Sequence, residues 1–254
     1  MKPALSLVIA MLVGIATSGF ALAAPRYDYC AMYPDVRPTL VVIDRTEPFD
    51  RLDRELVSAA MGRIFKEAVA GTRLIIHTMT EDFSTSAMVF DGCVPGCPDS
   101  DSLSSAILSE CSAIVARRDT AEFRKRLADS LLALLDTSEE HGGSAIVETL
   151  AALGSQYRGI GRLIVYSDLL ENTDLARFDR IDGKSLAGLL PKLAGLHLIP
   201  ALDGADVIAF GFGRAQGPDR PGLTPAALDA IRTFWIAYFG AAGAASTRIA
   251  QRYE

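Results

Sequence analysis

Thr39-Leu40-Val41-Val42-Ile43-Asp44 is the stretch that decides the fold. A continuous run of β-branched and aliphatic residues, without polar alternation, is what a parallel strand covered on both faces requires, because every side chain meets a packed layer. The run stops at an aspartate, Asp44. After a turn over 45–48, Leu52, Leu56, Ala60, Ile64 and Ala68 recur at every fourth position, predicting a helix with that stripe inward and a stop at Gly71. Arg162-Leu163-Ile164-Val165-Tyr166-Ser167 repeats the opening pattern and also ends at an aspartate, Asp168. Asp206-Val207-Ile208-Ala209-Phe210 reads as the last buried strand. Between these lie two strand-like runs over 74–78 and 87–90, fitting a hairpin or short edge pair. Helical patterns cover about 120–135, about 143–154 and 186–193, the last kinked or shortened by Pro191. Thr224-Pro225, a capping residue followed by proline, opens a final helix that turns Leu228, Ile231 and Trp235 inward. This alternation predicts a three-layer αβα domain with a mostly parallel central sheet, a Rossmann-like class of α/β fold. Ligands of such sheets bind beyond the carboxyl ends of the strands, where Asp44 and Asp168 both fall.

The start of the chain bears on its compartment. Lys2 precedes an uncharged apolar run over 4–20 and then Ala21-Leu22-Ala23, a small-residue cleavage pattern. This predicts a signal peptide over 1–23 and a mature domain over 24–254, periplasmic or secreted. An uncleaved anchor is the alternative reading of the same run. Later segments are too short or too polar to span a bilayer, so no stable membrane span is expected after cleavage. With 50% hydrophobic and 22% charged residues the chain has the composition of a folded protein. Its 25 Lys and Arg against 31 Asp and Glu offer no concentrated basic surface for phosphates, which disfavours nucleic acid as a partner. The four cysteines, Cys30, Cys93, Cys97 and Cys111, form an even set, expected to pair as disulfides in an oxidising space. Three connectivities are open. Three of the four lie in an irregular insertion over about 91–118, so two complete bridges require one inside it. A zinc site is the sharper alternative, although its spacing is irregular and no histidine is near. His77 is expected in a strand, His197 in a helix-to-strand connection and His141 on the surface.

Three segments in sequence order resemble the von Willebrand factor A family. Leu40-Val41-Val42-Ile43-Asp44-Arg45-Thr46-Glu47-Pro48 is similar to that family's strand followed by D-x-S-x-S, with Thr46 at the first serine. Gly142-Gly143-Ser144-Ala145-Ile146 resembles its G-G-T segment before a helix, with Ser144 at the threonine, and Val165-Tyr166-Ser167-Asp168 resembles the strand that closes on a metal-site aspartate. The resemblance implies a cation site at the top of the sheet, with Asp44, Thr46, Ser144 and Asp168 as ligands of Mg²⁺, Mn²⁺ or Ca²⁺ and a partner protein's carboxylate completing the shell. Pro48 departs from the pattern because it carries no side-chain oxygen, leaving water, Glu47 or Asp50 to replace that ligand. The bland readings are a turn residue at Asp44, an N-cap at Ser144 and a capping pair between Asp168 and Glu171.

The function expected from these residues is protein–protein binding, with or without a bridging cation, and not catalysis. One alternative is a Mg²⁺-dependent phosphoryl hydrolase resembling the haloacid dehalogenases, whose first strand also ends in an aspartate. Its second carboxylate is missing here, since Thr46 holds that position. Another alternative is a structural subunit of an envelope or conjugation-type assembly. No phosphate-binding G-x-x-x-x-G-K motif and no G-x-S-x-G nucleophile turn occurs in the chain.

Overall fold

The computed structural model describes residues 25–98, 111–136, 143–178, 186–213 and 223–253. The expected signal peptide over 1–23, His141, Gly142 and residues 99–110 of the cysteine-containing insertion lie outside the described residues. Six strands, β1 (Thr39–Asp44), β2 (Arg73–Met79), β3 (Met88–Cys93), β4 (Arg162–Tyr166), β5 (Asp206–Phe210) and β6 (Ser246–Ala250), form one sheet in the order β3-β2-β1-β4-β5-β6. Every pairing is parallel except β2 with β3, the expected hairpin at one edge. The helices are α1 (Arg51–Glu67), α2 (Ala113–Leu135), α3 (Ile146–Gln156), α4 (Leu189–Gly195) and α5 (Pro225–Ala241).

β1 lies at the centre, and its pleat divides the core. Val41 and Ile43 pack with residues of α1 and α2 on one side, whereas Leu40 and Val42 pack with α3, α4 and α5 on the other. All four are at most 1% exposed, which is why the run shows no polar alternation. The result is a three-layer αβα fold of the Rossmann-like or von Willebrand factor A-like type. From β1 the chain travels outward through β2 to β3, then crosses back to the opposite side of β1 for β4 and continues outward to β6. The carboxyl ends of β1 and β4 therefore flank the point where the strand order reverses, and such crevices receive ligands in open α/β sheets. At the opposite edge the Arg37 guanidinium bonds to the carbonyls of Gly159, Ile160, Asp203 and Gly204, fixing the turns that lead into β4 and β5.

Several expectations shift on a local cause. α1 turns Val57, Ala60, Met61 and Ile64 inward, and Leu52 is 46% exposed, so the stripe is rotated by about one residue from the expected one. Its phase is set by polar contacts. Asp53 accepts the Tyr166 hydroxyl at 2.7 Å and forms a reciprocal capping box with Asp50, drawing position 53 inward. α1 ends at Glu67, ahead of the turn that holds Gly71. α2 begins at Ala113, a full two turns before the expected start. Its first turns fall within the segment expected to be irregular, and there Asp119 points inward and accepts from the Tyr29 hydroxyl and the Arg26 backbone N–H. β6 carries no apolar run and no fully buried position, and for that reason the sequence pattern passed over it and made β5 the last strand.

Cys30 pairs with Cys93 and Cys97 pairs with Cys111, so one bridge lies inside the insertion and the other fastens the N-terminal arm to the end of β3. With every cysteine oxidised, none is a thiolate for zinc, and that alternative falls. Paired disulfides of this kind persist in oxidising compartments. No helix among the described residues is long and apolar enough to cross a membrane.

Candidate functional site

Asp44 ends β1 with only 7% of its surface exposed, and its carboxylate is the hub of the sheet's carboxyl edge. Oδ1 accepts the Thr46 backbone N–H at 3.1 Å and the Thr46 hydroxyl at 2.8 Å, the geometry of a chain that doubles back directly after a strand. From the segment before α3, the Ser144 hydroxyl lies 3.2 Å from Asp44 Oδ2 and 2.9 Å from Thr46 Oγ1. From the end of β4, the Ser167 hydroxyl donates to Asp44 Oδ2 at 2.7 Å. Three loops drawn from a span of more than a hundred residues of chain thus share one carboxylate. Sequence reasoning passed over Ser167 because its signal lies in the strand register: β1 and β4 pair with Ile43 opposite Tyr166, which sets the next residues, Asp44 and Ser167, side by side.

One close approach and two backbone hydrogen bonds hold the loops in this arrangement. A Cβ at Gly143 would lie 2.3 Å from the Asn172 carbonyl oxygen, so only glycine lets the second loop pass the third. Next to it the Asn172 N–H donates to the Ser144 carbonyl at 3.1 Å, and the Ala145 N–H donates to the Thr80 carbonyl at 2.9 Å. This gives the second glycine of the Gly-Gly pair a steric reason independent of any family pattern.

Asp168 sits on the same rim, 8% exposed, and its Oδ1 accepts the Leu170 N–H at 2.9 Å. Its chain neighbour Ser167 is the residue whose hydroxyl reaches Asp44 Oδ2. Asp168 and Glu171 do not cap a helix of their own, because 167–171 is an irregular loop. Glu171 instead reaches the first turn of α3, where its carboxylate accepts the Val147 N–H at 2.9 Å and the Thr173 hydroxyl at 2.5 Å. It is fully buried. Burial pushes its carboxyl up to about 7, while hydrogen bonds from Thr173 and the α3 backbone pull the other way. Leu169, between the two acids, has φ 62°, a left-handed conformation that burial and the Trp235 indole bond to its carbonyl hold in place.

Of the candidate replacements for the missing oxygen at Pro48, Asp50 is committed to the α1 cap, where its side chain accepts the Asp53 N–H at 2.8 Å. The donor chemistry is a carboxylate with surrounding hydroxyls, and no three His, Cys, Asp or Glu side chains gather into a metal-binding group among the described residues. Octahedral Mg²⁺ with oxygens at about 2.1 Å places neighbouring ligands about 3.0 Å apart. Thr46 Oγ1 lies 2.8 Å from Asp44 Oδ1 and 2.9 Å from Ser144 Oγ, close to that spacing, while Ser144 Oγ and Asp44 Oδ1 are 3.4 Å apart, so a cation would have to draw the third edge in to complete a face of its shell. His77 and His197 lie in β2 and in the α4–β5 connection, as expected, and His77 bonds to the Tyr157 hydroxyl at 2.9 Å, away from the Asp44 group. Compared with known proteins, the chain matches no family model and no curated sequence.

Proposed function

We propose that this chain is an exported binding module of the von Willebrand factor A type, resident in the periplasm or secreted. In this reading its sheet edge holds one divalent cation, Mg²⁺ or a close oxygen-preferring relative, for a carboxylate of a protein partner. The observation that carries this reading is the meeting of Asp44, Thr46 and Ser144 at hydrogen-bond distance and at the spacing of cation ligands. Asp44 supplies the charge and the two hydroxyls supply neutral oxygens. Ser167 aims the carboxylate by holding Oδ2, and Asp168 adds a second acid on the rim. A cation there attracts an external carboxylate because the missing oxygen at Pro48 leaves a coordination position open to an outside ligand. The loss of an oxygen at Pro48 lowers the number of protein ligands, so a weak, exchangeable cation is expected.

The test is chemical crosslinking in native envelope extracts with and without EDTA, followed by mass spectrometry, for the wild type and for Asp44→Asn. The expected result is a defined partner lost both on chelation and in the variant. A partner set that neither treatment changes places recognition on another face. Mg²⁺-dependent turnover of an aryl phosphate, abolished by Asp44→Asn, would instead favour the hydrolase reading.

A further inference from the structure

A second feature lies on the outer helical layer, away from the Asp44 rim. α1 and α2 run antiparallel, since Phe65 near the end of α1 meets the Phe123 ring near the middle of α2, while Arg54 near the start of α1 pairs with Asp136 past the end of α2. Between them is a trough of about 340 Å³. Its floor is apolar: Met61, Leu127, Leu131 and Leu135 are each at most 9% exposed, and Leu132 stands 61% exposed on one wall. From Arg124 to Leu135 the wall extends about 16 Å at the helical rise of 1.5 Å per residue. The opposite wall is cut away at Gly62, where an added Cβ would meet nothing within 4 Å. A mid-helix glycine costs about 1 kcal/mol relative to alanine, and here no neighbouring atom requires it.

The two ends of the trough differ in charge. Beyond the Ser58 and Leu135 end, Arg54 is paired with Asp136 at 2.9 Å. At the other, the Arg124 guanidinium lies over the Phe65 ring at 4.8 Å, and no carboxylate among the described residues pairs with it. The trough therefore presents a narrow apolar channel with an unmatched cation at one mouth. We infer that the α1–α2 trough binds a linear anionic amphiphile of the fatty-acid class, with its carboxylate at Arg124 and its chain along Met61, Gly62 and Leu131. The volume lies at the lower end of the range for small-ligand sites, matching a single chain.

The test is isothermal calorimetry of the folded wild-type protein with octanoate, decanoate and dodecanoate below their micelle concentrations, with dodecanol and dodecyltrimethylammonium as comparisons. Binding of one molecule per chain is expected, tightening about three- to fourfold for each added methylene until the trough is filled. Dodecanoate should exceed the cationic amphiphile by tenfold or more. A Cβ at Gly62 meets nothing within 4 Å, so Gly62→Leu projects into the open trough, and it should raise the melting temperature and abolish binding. Arg124→Glu should weaken dodecanoate but leave dodecanol within about twofold. No saturable binding, or binding unchanged in Gly62→Leu, overturns the inference. A concentration-dependent dimer lost in Gly62→Leu, with no dodecanoate binding, would assign the trough to a second copy and overturn it as well.

Discussion

Ser167 and Glu171 are the residues through which the third loop acts on its neighbours. The Ser167 hydroxyl donates to Asp44 and accepts the Leu169 N–H at 2.9 Å, so it serves two buried groups at once. Ser167→Ala leaves that N–H and one carboxylate lone pair without their partner. A stability loss of about 1–3 kcal/mol is expected in urea unfolding, together with weaker cation binding. Glu171 gives a pH signature of known sign. Its carboxyl is raised from 4.5 to about 7 by burial, so the folded state keeps a proton that the unfolded chain releases. Its contribution to stability is complete below about pH 4.5 and is lost as the pH climbs through 7, a change of about 3 kcal/mol in all. Glu171→Gln keeps the shape and an acceptor for the Val147 N–H, and it should flatten the stability curve between pH 4.5 and 7 in denaturation series. A slope unchanged by the substitution would show that Glu171 titrates normally.

Strands and helices differ in how much of themselves they wrote into the sequence. β1, β4 and β5 are covered on both faces, so each appears as an unbroken apolar run, and their bounds were legible to within a residue or so. β6 lies at an edge with polar, half-exposed positions and left no such run. The inward stripe of α1 was misplaced because periodicity counts apolar residues only, whereas its rotation follows the hydrogen bond between Asp53 and Tyr166 across more than a hundred residues. The same limit applies at the site. Asp44, Thr46 and Ser144 could be singled out by their places after a strand and before a helix, but Ser167 needed the register between β1 and β4. Cysteine count predicted disulfides but not their pairing, which is set by the distance between the arm and the end of β3. In the chain-entropy account, the Cys30–Cys93 bridge, with a sequence separation of 63, contributes about 4 kcal/mol, and the Cys97–Cys111 bridge, separated by 14, about 3 kcal/mol. Cys30→Ser with Cys93→Ser should therefore lower the melting temperature more than the other double replacement in calorimetric scans. The reverse order would show that native-state packing of the insertion outweighs loop length.

For the molecule as a whole, the order of strands creates the site. Because the chain reverses its direction across the sheet at β1, the ends of β1 and β4 become neighbours, and the segment leading into α3 crosses above them. The helical layers on both sides bury every aliphatic residue of β1, which fixes where Asp44 stands. A rigid hub of one carboxylate and three hydroxyls is thus presented at a sheet edge in a chain with net charge −6, which favours cations at its surface. The most direct measurement is calorimetric titration of the purified 24–254 protein with Mg²⁺ and Mn²⁺, beside Asp44→Asn. Saturable binding of one ion per chain at millimolar or lower concentration, absent from the variant, is the expected outcome. No heat of binding in the wild type at millimolar metal, or identical binding in Asp44→Asn, would contradict a cation held by these loops.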